Sequence, residues 1–191
     1  GETHYNGWNN RTRYGYHSYD IGNIHMQGQR NPKIRLDEIR KHVNFKDKKV
    51  LDLGCNVGAM LHHLDEIKEG LGYDYDEKCI DAGNEITKIL KSNVYLYKAD
   101  FDKDNDLDSY FKYDPDIIFI LSIGSWVKNW KGLYQKCLDS GAILILETNN
   151  DVEGKPQLEL FKNQGKECKL IIDNSKDDST GNHGRKTYLI E

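Results

Sequence analysis

From residue 48 onward the apolar and polar positions switch between two rhythms. KKVLDLG (48–54) is a short apolar run, and AMLHHLDEI (59–67) continues it at helical spacing. EGLGYDYD (69–76) reads as a second strand, followed by EKCIDAGNEITKILKS (77–92), in which Ile80, Ile86, Ile89 and Leu90 recur near a helical period. NVYLYKAD (93–100), PDIIFILS (115–122) and AILILET (142–148) add three strands rich in β-branched and aromatic residues, and WKGLYQKCLDSG (130–141) is a helix ended by glycine. This alternation predicts a parallel sheet with right-handed crossovers. The remainder reads as a helix over 155–164, a strand CKLIIDN (168–174), a polar loop SKDDSTGNHGR (175–185) and a last strand KTYLIE (186–191). Without a helix between them, the last two strands should pair as an antiparallel edge hairpin. The expectation is a single α/β unit with a mostly parallel seven-stranded sheet and helices on both faces: residues 1–48 form a cover segment with a helix, and residues 49–191 the ligand-binding α/β domain.

A ligand of such a sheet sits outside the carboxyl ends of the strands, where the strand order reverses. The turn Gly54-Cys55-Asn56-Val57-Gly58 follows the first strand: Gly54 gives a permissive backbone, Asn56 tolerates left-handed geometry in place of a middle glycine, and Gly58 lets the following helix come close. The pyrophosphate fingerprint GxGxxG is not met, because Gly54, Asn56 and Ala59 would have to fill its three places. Three acids fall at successive strand ends: Asp52 before the turn, Asp74 in GYDYD and Asp100 in YKADF. Carboxylates placed there can accept from an ammonium, a pair of ribose hydroxyls and an adenine amine. S-adenosylmethionine carries those groups and no phosphate.

Charge changes this picture only in part. The total is −4, but residues 1–49 hold ten Lys/Arg against five Asp/Glu, which makes that segment +5 and the rest −9. A basic segment beside an acidic body can meet a phosphate-bearing acceptor, although a solvated helix face is the preferred explanation. Cys55, Cys79, Cys137 and Cys168 are widely spaced without a CxxC pair, which points to reduced thiols and to no metal site. No apolar run reaches membrane-spanning length and the first twenty residues lack a signal-peptide core, so the expectation is a soluble cytoplasmic protein with no membrane partner. The start at Gly1 suggests that residues have been trimmed before it.

VLDLGCNVG, GLGYDYDEKCIDAGN, YKADF and DPDIIFILSIGSWVKNWKGLYQKCLDSGAILILE, in that order over roughly residues 48–150, resemble the successive motifs of class I S-adenosylmethionine-dependent methyltransferases. The resemblance implies a Rossmann-like methyltransferase fold and S-adenosyl-L-methionine as cofactor, with S-adenosyl-L-homocysteine as product. It implies that Asp52, Gly54, Asn56 and Gly58 hold the methionine end, Asp74 with Tyr75 the ribose, and Asp100 with Phe101 the adenine, while Leu121 and Ser122 face cofactor and acceptor. The segment YHSYDIGNIHMQGQRNPKIRLDEIRKHVNFKDKKVLDLGCNVG is similar in layout to the region before the glycine turn in tRNA wobble-uridine carboxymethyltransferases and their small-molecule relatives. Those enzymes use a lysine upstream of the turn, where this chain has Tyr16, His17, Ser18 and Tyr19.

Methyl transfer from a sulfonium is an in-line displacement, so placement supplies most of the catalysis. A hydroxyl acceptor also gains from a base. His17 is the candidate, with His25 and His183 behind it; each has the alternative of a packed or solvated histidine, the reading preferred for His62 and His63. Candidate acceptor contacts are Tyr19, Arg30, Ser122, Trp126, Glu147 and Asn149, while Trp8, Tyr14, Tyr16 and Tyr19 would suit an aromatic lid. Arg30 and Arg35 could meet an anionic acceptor group or an internal acid. The acidic stretch DFDKDNDLDSY is expected to be a solvated turn. The leading expectation is O-methylation of a small polar acceptor such as a sugar or nucleotide-linked sugar. A tRNA-modifying transferase and a non-catalytic cofactor-binding module are the alternatives.

Overall fold

The computed structural model describes residues 15–191; Trp8 and Tyr14 lie outside the described residues. Two short strands, β1 (Tyr19–Ile21) and β2 (Ile24–Met26), form a hairpin through Gly22, and α1 (Pro32–Arg40) follows. Asn31 caps α1 by accepting from the Lys33 N–H, and Pro32 occupies its first turn, where no backbone donor is needed.

The main sheet contains β3 (Lys49–Leu53), β4 (Glu69–Asp74), β5 (Val94–Lys98), β6 (Ile117–Leu121), β7 (Ile143–Glu147), β8 (Cys168–Ile172) and β9 (Thr187–Ile190), in the order β5-β4-β3-β6-β7-β9-β8. The first five are parallel, and β9 runs antiparallel between β7 and β8, forming the hairpin expected from the sequence. Helices α2 (Ala59–His62), α3 (Glu77–Leu90), α4 (Trp130–Asp139) and α5 (Asp151–Lys162) complete the crossovers, with a 3-10 turn over Leu107–Phe111.

The central strands are apolar on both faces because both are covered. Leu51, Leu53, Ile118, Ile120, Leu144 and Leu146 pack against Leu133, Tyr134 and Phe161 of α4 and α5. On the other face Val50, Ile117, Phe119 and Ile145 meet Leu36 and Ile39 of α1 together with Phe45. Burying α1 there fixes the N-terminal segment against the sheet.

Two helices depart from the sequence expectation. The helix expected over 59–67 stops at His62, since the His63 ring turns back onto the Ala59 carbonyl (2.7 Å) and the chain continues through turns to β4. The helix expected over 155–164 starts at Asp151, because the Asn150 side chain accepts from the Glu153 N–H (2.8 Å) and caps it.

A second, smaller extended arrangement closes over the carboxyl end of the sheet. The Ser18 N–H donates to the Arg30 carbonyl (2.7 Å) and the Arg30 N–H to that of Tyr16 (2.7 Å); the Ser179 N–H donates to the Gln29 carbonyl (2.8 Å). Gly28 is required, as a Cβ there would collide with the His17 backbone. Among the described residues, no helix is long and apolar enough to cross a membrane.

Candidate functional site

The strand order reverses beside β3, between its neighbours β4 and β6, and the glycine turn lies at that point. Gly54 (φ +82°), Asn56 (φ +53°) and Gly58 (φ +79°) all take left-handed backbone. A Cβ on Gly54 would collide with the Ile123 side chain, and one on Gly58 would come within 2.9 Å of Leu96. The Asp74 carboxylate holds the turn: Oδ2 accepts from the Asn56 N–H (2.7 Å) and Oδ1 from the Asp76 N–H (2.9 Å). Each oxygen keeps a lone pair for a further donor. Burial raises the Asp74 carboxyl, and these amides oppose the rise.

Asp52 is only 2% exposed, and its Oδ1 has no hydrogen-bond partner among the described residues. Burial raises its carboxyl to about 7, against the pull of the Arg35 guanidinium. A buried carboxylate with an unfilled lone pair at a strand end fits a cationic donor. Asp100 spends Oδ1 on the Asp102 and Lys103 N–H groups (both 3.1 Å), which caps the turn after β5. Phe101 is buried and meets Tyr110 edge-on at 5.3 Å between centroids. Tyr75 is exposed beyond β4, and Leu121 is half-buried at the end of β6.

The ends of β6 and β7 are built differently. Ser122 follows β6 with φ +62°, strained for a residue with a Cβ. Its N–H donates to the Glu147 carbonyl (2.9 Å), and its hydroxyl donates to Glu147 Oε1. Glu147 in turn accepts Arg30 Nη1 (3.1 Å) and Nη2 (3.0 Å) and Arg35 Nη2 (2.8 Å). Arg30, 1% exposed, also donates from Nε (2.7 Å) and Nη2 (3.2 Å) to Asp177. Burial disfavours ionised Glu147, yet the two guanidiniums outweigh it and hold the carboxyl far below its ordinary range. Glu147 is therefore a fixed anion with its oxygens occupied. It can reach a ligand only through Ser122, whose oxygen, having donated its proton, keeps lone pairs for an O–H or N–H.

His17 is buried above this cluster, with Nδ1 unpartnered. Burial, then Arg35 and Arg30, keep its ring neutral well below the usual imidazole range. Asn149 Oδ1 is likewise buried without a hydrogen-bond partner. Trp126 stands at the surface, 71% exposed. Tyr19 is buried against the glycine turn, its hydroxyl 2.9 Å from His62 Nδ1 and 3.3 Å from the Val57 carbonyl. It thus ties β1 to the helix after the glycine turn, and the Asp20 N–H adds a bond to His63 Nε2 (3.2 Å). His25 pairs with Asp20 at the surface, and His183 lies in the 175–185 loop, bonded to the Asp178 carbonyl (3.3 Å).

The structure thus brings together Asp52, Gly54, Asn56, Gly58, Asp74, Leu121, Ser122, Glu147, Arg30 and His17; Tyr19 packs against the same turn but spends its hydroxyl on Val57 and His62, and Trp126 stands apart at the surface. Sequence reasoning missed Asp177 and Gln29; both sit in polar stretches with no periodicity, and their partners lie far along the chain. Gln29 donates to the Asp178 carboxylate (3.2 Å) across 149 positions. Among the described residues, no group of three or more His, Cys, Asp or Glu side chains is placed to hold a metal ion.

No family model matches the chain. A curated relative, the tRNA U34 carboxymethyltransferase of Sulfurimonas denitrificans, is 26% identical over 136 residues, covering 68% of this chain and 44% of that protein. The chain therefore spans less than half the length of that relative. Among solved structures, a SAM-dependent methyltransferase from Aquifex aeolicus aligns with a TM-score of 0.58 at 15% identity, covering 85% of this chain and 90% of that one. Precorrin 8W decarboxylase of Methanobacterium thermoautotrophicum aligns with a TM-score of 0.60 at 14% identity, covering 86% and 91%. The fold is that of the class I S-adenosylmethionine-dependent methyltransferases, as the motif series implied. A decarboxylase among its neighbours is a reminder that such a fold hosts more than one reaction.

Proposed function

We propose that the chain is an S-adenosylmethionine-dependent methyltransferase acting at oxygen on a small polar acceptor. The observation that carries this reading is the cradle at the switch point, with three left-handed residues, the Asp74 carboxylate and the unpartnered Asp52 oxygen around one turn. Gly54, Asn56 and Gly58 leave room for close approach, Asp74 offers a lone pair on each oxygen to ribose hydroxyls, and Asp52 accepts from an ammonium. The cofactor supplies a methyl group on a sulfonium. Ser122, held by Glu147, orients a hydroxyl on the acceptor side, and neutral His17 is the base candidate. Five aspartates within residues 100–108 against the single Lys103 make the rim beyond β5 acidic, which favours a neutral or cationic small acceptor over a polyanion.

Calorimetric titration with S-adenosylmethionine, S-adenosylhomocysteine and NADH tests the cofactor. Micromolar binding of the first two, weakened at least tenfold by Asp74→Ala, is the expected result; binding of NADH alone would sink the reading. A second reading, transfer to a tRNA wobble uridine, is favoured by the relative from Sulfurimonas denitrificans and by the +5 charge of residues 1–49. It requires tRNA binding that weakens steeply with salt, measurable by filter binding from 50 to 200 mM salt.

A further inference from the structure

A third arginine approaches the Glu147 carboxylate. The Ser122 hydroxyl and Arg30 Nη1 already donate to Oε1, and Arg185, two positions before β9, comes only to 3.9 Å from that oxygen, too far for a hydrogen bond. Its Nη1 donates instead to the Tyr16 hydroxyl (2.9 Å). The side chain is 13% exposed, and among the described residues no other carboxylate lies within ion-pair distance of it. The edge formed by its Nε–H and Nη2 has no hydrogen-bond partner among those residues either. Arg30 shows what such an edge takes, since its own Nε and Nη2 hold the Asp177 carboxylate at 2.7 and 3.2 Å. Asn149 adds an atom of opposite sign. The pairing of β7 with β9 sets Glu147 against Thr187 and continues from the Thr148 N–H to the Lys186 carbonyl (3.0 Å), so Asn149 falls opposite Arg185. Its Oδ1 is buried without a hydrogen-bond partner, and such atoms ask for an explanation. An open donor fork, an unfilled acceptor and the Ser122 oxygen thus share the carboxyl ends of β6 and β7.

We propose that Arg185 selects the acceptor: its Nε and Nη2 receive a carboxylate of the acceptor, while Asn149 Oδ1 accepts from a hydroxyl of the same molecule, so that the substrate class is a small hydroxylated carboxylate such as a sugar acid. The inference rests on the methyltransferase reading and narrows its acceptor to one with a single negative charge. A planar guanidinium matches a carboxylate with two parallel hydrogen bonds, and the bond to Tyr16 orients it in advance, which lowers the side-chain freedom lost on binding. The acidic rim beyond β5 does not oppose one carboxylate here, because β5 and β9 stand five strand positions apart, about 24 Å. A polyanion long enough to reach both is still repelled.

Calorimetry on the protein saturated with S-adenosylhomocysteine tests this with two matched pairs, D-glucuronate against D-glucose and D-galacturonate against D-galactose. At least one acid should bind about 10- to 100-fold more tightly than its neutral sugar, the range for a charged hydrogen bond. In Arg185→Gln that ratio should fall to near one while S-adenosylhomocysteine binds as before; Arg185→Lys, which keeps the charge without the fork, should restore only part of it. If S-adenosylhomocysteine does not bind the wild-type protein, the methyltransferase reading falls and the inference with it. If it binds, but both acids bind no better than their sugars or the ratio survives in Arg185→Gln, that reading stands and Arg185 has no such role. Binding of tRNA that Arg185→Gln weakens, with neither acid bound, would assign the fork to a phosphate and overturn the carboxylate. The wild-type comparison decides the matter even if Arg185→Gln does not fold.

Discussion

Replacing Arg30 by Met removes a guanidinium that makes four hydrogen bonds to two carboxylates, with side-chain exposures of 1% for Arg30, 2% for Glu147 and 3% for Asp177. Methionine fills much of the space, so the main loss is electrostatic: Glu147 keeps Arg35 at 2.8 Å, while Asp177 keeps only a 3.8 Å approach. Breaking a buried pair by removing one partner costs about 3–5 kcal/mol, a large share of the roughly 5–15 kcal/mol that stabilises a typical domain. For a chain of this size that corresponds to a fall in Tm of about 6–20 °C. The pH dependence gives a second reading of the same cause. Glu147 has a folded pKa far below its unfolded value, so its contribution is full above about pH 4.3 and is lost progressively as the pH falls below that value towards the folded pKa. The gap between wild type and Arg30→Met should therefore be at its full width at pH 7 and narrow only below about pH 4. Urea unfolding followed by tryptophan fluorescence measures both. Arg40→Met is the control, because its pairing with Glu66 is about one-third exposed and should cost no more than about 1 kcal/mol. A loss below about 1 kcal/mol for Arg30→Met, or a gap unchanged with pH, would refute the view that paired charge holds this cluster.

Other substitutions test separate parts of the molecule. Gly83→Ala lies inside α3, where alanine ordinarily gains about 1 kcal/mol, but its Cβ would run into the Val57 carbonyl and Leu96, so urea unfolding should show a loss instead. Ser122→Gly should be less destabilising than Ser122→Ala by about 1 kcal/mol, since both lose the bond to Glu147 and only glycine relieves the positive φ. His62 is buried neutral with its pKa lowered to about 3, so its contribution is full above pH 6.5 and declines as the pH falls towards 3; His62→Gln should flatten the loss of stability between pH 6.5 and 4.

The strands were legible because each is a run of branched and aromatic residues bounded by polar turns, and the glycine turn with its acids marked the switch point before any coordinate. The start of α5 could also have been read: Asn150 followed three positions later by Glu153 is a capping pattern that the apolar spacing alone obscured. The buried ion cluster was not legible in the same way. Arg30 meets Glu147 and Asp177 across 117 and 147 positions, and no local rhythm distinguishes it from a solvated arginine. Its desolvation is decided by which segments the fold brings together, information that sequence periodicity does not carry. The hairpin of β1 and β2 was hidden for a related reason, since it is held by Tyr19 and Asp20 reaching His62 and His63 at the end of a later helix.

The layer over the sheet's carboxyl end joins residues near 17, near 30 and near 178 through backbone hydrogen bonds. During synthesis the glycine turn and its first strands leave the ribosome more than a hundred residues before the segment that completes this layer. An unfinished chain therefore holds Arg30 and Arg35 beside a sheet whose balancing acid at 177 does not yet exist. Pairing of Arg30 and Gln29 therefore waits until residues 177 and 178 have been made, and removing those residues takes away a partner of each.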